Sequence, residues 1–388
     1  MLKRLKNTLL SALLVTGLAG GVQAAGVTAT EIVLGTHLDL SGPVAAGMPS
    51  LRNGMQMRLD EANDAGGVNG RKFRIVVEDN GSQPQMAVRA IDKLIRKDEV
   101  FAIVNPFGSA TNAAVVKRAV DEGVIYFAPW GASSIIRRSA ADSQLLFTTT
   151  PNYDGIMNTG VTWMMDQFKP KKVGYIYQEG PLGALMGEGI KKALSAKGMT
   201  YAAEAGYKAG DIDFSSQVAR MKAADVDLLV IATVTRETIG IMAEVKKLGW
   251  NTVRVITGNP GRTGIVLQLG KDTVEGLYGV GVWHLYTPTS GPDSVKKWFA
   301  DYKKKYTNEP DENALLAYAY TDMFVKAVQA AGRDLTADKV VKALQTGSIE
   351  HPIFYEKQTF KGNHQGPEFV QVDQVKGGAW TSLTKPMQ

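Results

Sequence analysis

Few residues in this chain could make or break a covalent bond. It has no cysteine, which excludes thiol chemistry and disulfides, and its four histidines, His37, His284, His351 and His364, stand far apart. They suggest no metal site, and surface or hinge hydrogen bonding is the expectation for each. No Gly-x-Ser-x-Gly elbow, Walker loop or His-Glu-x-x-His occurs, and Gly187-Glu188-Gly189 lacks the third glycine of a dinucleotide fingerprint. Asp60 with Glu61, and Asp211 with Asp213, are neighbours that caps or solvated faces explain. The sequence therefore assigns no catalytic residue, no metal and no cofactor.

What remains is the chemistry of binding. Over residues 101–112 the chain reads Phe-Ala-Ile-Val-Asn-Pro-Phe-Gly-Ser-Ala-Thr-Asn. An apolar run stops at Asn-Pro, bends at Gly108 and restarts as a helix from Ser109 or Thr111, whose hydroxyls are expected to cap it. Such a turn points backbone N–H groups and the positive end of a helix dipole outward, which suits a carboxylate. Similar punctuation recurs at Ser41-Gly42, Trp130-Gly131-Ala132, Thr233-Val234-Thr235-Arg236 and Asn259-Pro260-Gly261. Glycines let the backbone approach a ligand, hydroxyls orient it, and an aromatic covers its apolar part.

These turns need elements to hold them. Strand patterns over 32–38, 72–78, 125–128 and 145–150 alternate with helix patterns over 50–65, 83–97 and from 109. The alternation restarts with helices over 153–168, 185–197, from 213 and over 236–248, and strands over 172–177, 201–207, 227–233 and 253–257. A strand-like run at 276–286, helices over 294–306, 314–331 and 337–345, and a tail of short strands complete the chain. Two consecutive βα series predict an α/β protein of two lobes, each a doubly wound, mostly parallel sheet with helices on both faces. No flexible linker separates them, so ordered crossings at 145–150 and 277–283 are expected to let the lobes hinge.

Composition sets the compartment. Lys3, Arg4 and Lys6 precede the apolar run 9–18 and the small residues 19–24, the pattern of a secretory signal peptide cleaved near Ala24. With no cysteine to acylate, no lipid anchor is expected. Removing the signal leaves 41 basic against 38 acidic residues, a net +3, with no basic run that would mark a nucleic-acid surface. An exported protein free in the periplasm is the expectation.

Taken in order, several pieces carry a resemblance. They are Leu40-Ser41-Gly42-Pro43 with Asn53-Gly54, the stretches 63–70 and 104–112, Glu122-Gly123-Val124, Asp213-Phe214-Ser215-Ser216-Gln217, His364-Gln365-Gly366 and Gly377-Gly378-Ala379-Trp380. Together they resemble the branched-chain amino-acid (Leu/Ile/Val-binding) type of periplasmic solute-binding protein of ABC importers. The resemblance implies a type I fold with three hinge crossovers. Its lobes would be residues 25–147 with 281–357, and 148–280 with 358–388. It also implies a monomer that closes on a small molecule and delivers it to an inner-membrane ABC permease. By resemblance the carboxylate-binding turn falls on Gly108-Ser109 and the second contact loop on Trp130, Gly131, Ala132 and Ser133; the strand-end turn at Ser41 is a further candidate. By resemblance the second-lobe contacts fall near Tyr153, Leu182, Thr235, Asn259 and Pro260, and the strand-end turn at 233–236 adds Thr233 and Arg236 as candidates. Arg236 is either a counter-charge for an acid or an ordinary helix-surface arginine.

Two departures bear on the ligand. Amino-acid binders of this type place an acidic residue near Asn259-Pro260 to hold the α-ammonium, and often an aromatic in the first turn, where this chain has Gly47. A buried ammonium without a counter-charge costs several kcal/mol. The expectation is therefore a small aromatic or aliphatic carboxylic acid, with a branched-chain or other amino acid as the alternative. A ligand sensor for a membrane receptor would use the same cleft.

Overall fold

The structure, a computed structural model, describes residues 24–140, 142–362 and 364–388. The expected signal segment, Ala24 apart, lies outside the described residues. The first sheet comprises β1 (Glu31–Leu38), β2 (Lys72–Asp79), β3 (Ala102–Val104), β4 (Ile125–Phe127) and β5 (Leu146–Phe147), all parallel, in the order β2-β1-β3-β4-β5. Strand β1 is buried along nearly its whole length, as a strand covered on both faces must be. Helices α1 (Met48–Asp64), α2 (Pro84–Arg96), α3 (Ser109–Asp121) and α4 (Ser134–Ala140) connect these strands.

The second lobe contains α5 (Tyr153–Phe168), β6 (Val173–Gln178), α6 (Pro181–Ser195), β7 (Tyr201–Tyr207), α7 (Ser215–Ala223), β8 (Leu228–Ala232), α8 (Thr235–Lys247), β9 (Arg254–Thr257), α9 (Gly264–Gly270) and β10 (Tyr278–Gly281). The chain then returns to the first lobe for α10 (Asp293–Lys305), α11 (Glu312–Ala331) and α12 (Ala337–Thr346), whose apolar residues join that lobe's core. It finishes in the second lobe with β11 (Gln371–Lys376) and β12 (Ala379–Ser382), which add antiparallel to the sheet β12-β11-β10-β9-β8-β6-β7.

The chain crosses between lobes three times. Thr148 in the first crossing donates its N–H to the His364 carbonyl (3.1 Å), and Gly366 in the third donates to the Thr148 carbonyl (2.7 Å), so these two run side by side. Trp283 in the second packs against the cores of both lobes. The third crossing lies between Phe360, in the first core, and Val370, in the second.

Two expectations change in detail. The strand expected over 145–150 is only Leu146–Phe147, because Thr148 leaves the sheet to pair with the third crossing. Helix α9 was not anticipated: glycines bound it and it exposes Ile265 and Leu269, so its sequence lacks a clean amphipathic period. A Cβ on Gly54 would lie 2.1 Å from the Ala314 carbonyl oxygen, so α1 and α11 touch backbone to backbone.

Candidate functional site

In each sheet the strand order reverses once, between β1 and β3 in the first and between β6 and β8 in the second. Loops at the carboxyl ends of the strands on either side of such a reversal diverge and leave a crevice. In the first lobe these ends break sharply. The residues directly after β3 and β4, Asn105 (φ 49°) and Ala128 (φ 53°), are left-handed, and Ala128 does this at a steric cost of about 1–2 kcal/mol. Beyond them, Gly108 donates its N–H to the Trp130 carbonyl (3.0 Å) and Trp130 donates to the Pro106 carbonyl (2.8 Å), extending the sheet pairing into the loops. Gly131, at φ 122°, lies so close that a Cβ there would meet Ser109 Oγ at 2.6 Å and Ser109 N at 2.9 Å.

This geometry sharpens the expected anion turn. The Gly108 N–H is committed to the Trp130 carbonyl and so is not free to meet an anion. The expected hydroxyl cap does not form: Gly108 is the N-cap of α3, and the Thr111 hydroxyl donates to the Phe107 carbonyl instead (2.6 Å). Across the junction, Tyr153 donates its N–H to the Ala132 carbonyl (2.6 Å), while its hydroxyl pairs with Ser109 and the Ala132 backbone. Burial raises the Tyr153 pKa, against the smaller opposing effect of those two bonds, so the phenol stays protonated.

Beneath these loops lies a buried chain of polar side chains. Asn80 Nδ2 donates to His37 Nδ1 (2.9 Å), His37 Nε2 donates to the Tyr126 hydroxyl (2.9 Å), and Tyr126 donates to Asn112 Oδ1 (2.7 Å). Asn112 Nδ2 then donates to the carbonyls of Pro106 (3.0 Å) and Trp130 (2.9 Å), and Asn80 also donates to the Phe107 carbonyl (2.9 Å). The direction of every link requires a neutral His37 with its proton on Nε2. Burial agrees, lowering the His37 pKa from 6.5 to about 3. The expected surface or hinge role is thus corrected for His37, which is a core residue supporting the loops. Trp130 is half-buried, with Nε1 donating to Asn105 Oδ1 (3.3 Å) and its ring edge-on to Tyr320.

The second lobe contributes differently. Leu182, early in α6, is half-buried against that lobe's core. Thr233 is buried with its hydroxyl on Thr238 (2.6 Å), and Thr235 opens α8. Asn259, joined to Pro260 by a cis peptide after β9, is 5% exposed and neither side-chain polar atom has a partner among the described residues. Two expected residues turn elsewhere. The Ser41 hydroxyl is held by the Asp79 carboxylate (2.5 Å), and the Arg236 side chain is 62% exposed beside Glu237, as a helix-surface arginine would be. The structure thus gathers Gly108, Ser109, Trp130, Gly131, Ala132 and Tyr153 at one junction. Leu182, Thr233, Thr235, Asn259 and Pro260 lie at second-lobe strand ends.

Sequence reasoning missed what fixes the Asn259 turn. Arg262 lies buried across β10, its Nε donating to Asp373 (2.8 Å) and its Nη1 to the Trp283 carbonyl (2.8 Å). A Cβ on Gly281 would meet the guanidinium at 2.5 Å, which explains the glycines at 279 and 281. Glu312, from the first lobe, accepts the Gly264 N–H (2.8 Å). Only proximity in space reveals these partners, since 48 and 111 residues separate the pairs. A groove of about 760 Å³ on the first lobe, lined by residues of α1, α10 and α11 such as Arg58, Trp298 and Tyr318, includes none of the site residues above.

Residues 31–379 match the family model described as periplasmic binding protein. The chain belongs to this family. It is 26% identical to the Leu/Ile/Val-binding protein BraC3 of Rhizobium johnstonii over 85% of this chain and 87% of that one. Among solved structures, the fatty acid ABC transporter substrate-binding protein of Thermomonospora curvata superimposes with a TM-score of 0.80 at 25% identity, covering 94% of each chain. A solute-binding protein of an R. palustris ABC transporter, in complex with benzoate, gives 0.78 at 18% identity over 92% of this chain and 97% of that one. The expected fold, a two-lobed type I α/β binding protein, is the one observed. The chain is accordingly a non-enzymatic substrate-binding protein of an ABC transporter.

Proposed function

We propose that this periplasmic binding protein captures a small carboxylic acid lacking an α-ammonium, between the loops after β3 and β4 and those after β6, β8 and β9. In this reading the acid group meets Ser109, the Gly131-Ala132 backbone and the Tyr153 hydroxyl. Trp130 and Leu182 contribute apolar surface, and Thr233, Thr235, Asn259 and Pro260 close over the ligand. The lobe division is 25–147 with 281–357 against 148–280 with 358–388, the third crossing extending to about 369. The protein acts as a monomer, free in the periplasm after removal of a signal peptide near Ala24, and presents its closed form to an ABC permease.

The observation that carries the ligand class is the character of the Asn259 turn. Asn259 is a buried, unpartnered amide, which can orient a ligand but brings no negative charge. The turn's one charged residue is a cation, Arg262, already neutralised by Asp373. The turn thus offers no counter-charge of its own to repay the desolvation of an α-ammonium; of the buried carboxylates nearby in the fold, Glu312 is committed to the Gly264 N–H and Glu237 lies beside Arg236. Two relatives lend support: one is a fatty acid binder and one holds benzoate, so this fold accepts acids without an amino group.

Isothermal titration of the purified protein, after unfolding and refolding to strip carried-over ligand, tests the reading with benzoate, octanoate and leucine. Either of the first two should bind more tightly than leucine, and Ser109→Ala should weaken that binding about tenfold, the loss of one hydrogen bond to a charged group. Tight leucine binding with no heat from either acid would return the protein to amino-acid capture.

A further inference from the structure

The contact between Glu312 and Gly264 joins the two lobes directly. Glu312 is the first residue of α11, whose apolar side chains belong to the first core, and Gly264 opens α9, which packs in the second. The carboxylate is buried, Oε1 accepting the Gly264 N–H at 2.8 Å, and a Cβ on Gly264 would reach Oε2 at 3.0 Å. Gly264 ends the segment that begins with Gly258-Asn259-Pro260. That segment is otherwise pinned within its own lobe by Arg262 on Asp373, and tied through Arg262 to the Trp283 carbonyl of the second crossing (2.8 Å) and to the Tyr355 hydroxyl (3.4 Å). On the first-lobe side Glu312 does not swing freely. Asp311 caps α11 by accepting the Ala314 N–H (2.9 Å), and the adjacent helix turn is pressed against α1 at Gly54.

We propose that Glu312 is a closure latch and a positioning residue for the ligand-facing Asn259 turn. A carboxylate fixed on one lobe and a backbone N–H fixed on the other meet only when the lobes are together. Parting them exposes both groups to water and frees the far end of the 258–264 turn. The latch therefore adds a fixed increment to the closed state, set by this one charge-assisted bond and independent of which small molecule occupies the cleft. Glu312 touches no ligand in this scheme. It acts through Gly264, and its effect falls on how long the closed form persists. The same bond helps keep the Asn259 amide at one position relative to Tyr153 and Ala132.

The absence of cysteine allows a direct test. Spin labels at Ala114→Cys in α3 and Ala223→Cys in α7, both exposed, report the interlobe distance by double electron–electron resonance in the ligand-free protein. With Glu312 intact, a short-distance population is expected. Glu312→Ala should reduce it about tenfold relative to the open population, and Glu312→Gln, which keeps an acceptor oxygen, should restore part of it. A purely structural role for Glu312 would lower the melting temperature without moving the distance distribution. Identical distributions for the parent and Glu312→Ala overturn the latch, whatever the change in melting temperature.

Discussion

The two halves of the cleft are built on opposite plans. On the first lobe the loops after β3 and β4 rest on side chains that satisfy one another: Asn80, His37, Tyr126 and Asn112 form a directed chain ending on the Pro106 and Trp130 carbonyls, although the hydroxyls of Thr36 and Ser133 stay buried without a partner among the described residues. On the second lobe the buried polar groups are divided. Arg262 is locked to Asp373 Oδ2, while Asn259, Thr263 Oγ1, Glu237 Oε2 and the other Asp373 oxygen, Oδ1, have no partner among the described residues. Satisfied buried polar groups rigidify a site, whereas unpartnered ones carry a desolvation cost that a ligand can relieve. In the proposed binding mode the first lobe is then the better-formed cradle, and the second the cover that gains more from occupancy.

Substitutions should separate these plans, and the largest effect is expected where a buried charge loses its partner. Asp373→Ala strands Arg262 and should cost about 3–5 kcal/mol in urea unfolding. A loss below about 1 kcal/mol would mean that the second lobe has no rigid anchor of this kind.

The next effect is a pH dependence specific to the first lobe. The unfolded chain protonates its histidines near pH 6.5, whereas folded His37 resists until about pH 3. The unfolded state therefore binds more protons between these values. Stability is full above pH 6.5 and falls as the pH drops toward 3, by about 3 kcal/mol at pH 4 for this group alone. His351, lowered to about 4 by burial, adds in the same direction. His37→Gln should flatten the His37 part of the profile measured by denaturant titration between pH 7 and pH 4. An unchanged slope would show that the imidazole is not held neutral.

A smaller effect comes from the middle of the chain of bonds. Tyr126→Phe removes two of its links and should cost about 1–2 kcal/mol in stability while also weakening ligand binding, because the cradle carbonyls lose their support through Asn112. The smallest stability effect, and the one of opposite sign, is expected on the second lobe. Asn259→Ala removes an unsatisfied buried amide and should leave stability unchanged or raise it by up to about 1 kcal/mol. Ligand affinity should still fall about tenfold in calorimetry. If both variants lower stability alike, the contrast between cradle and cover fails.

Much of this architecture was legible in advance, for local reasons. The helix over Tyr153–Phe168 and the strand over Tyr201–Tyr207 have the bounds their periodicity predicted, since caps, turns and apolar repeats act within a few residues. Gly108 and Gly131 marked the two loops that converge, because only glycine takes those backbone angles beside a neighbour at contact distance. The support under the loops was hidden. His37 reads as one isolated histidine, and its partners Asn80 and Tyr126 lie 43 and 89 residues away. The Asn259 turn carries no acid of its own, yet a carboxylate reaches that segment from Glu312 on the other lobe.

By itself the sequence determined the alternation of elements, the absence of thiol chemistry and the places where the chain must turn at a strand end. These follow from backbone sterics, side-chain period and composition, which act along the chain. Tertiary structure alone decided that Gly108 spends its N–H on Trp130, that Ser41 and Arg236 turn away, and that Glu312 meets Gly264 across the lobes. The Gly108, Ser41 and Glu312 bonds each join segments brought together only by the stacking of strands and the closing of lobes, whereas Arg236 pairs with its chain neighbour Glu237. A donor's partner is set by distance in space, and spacing along the chain carries almost none of that information.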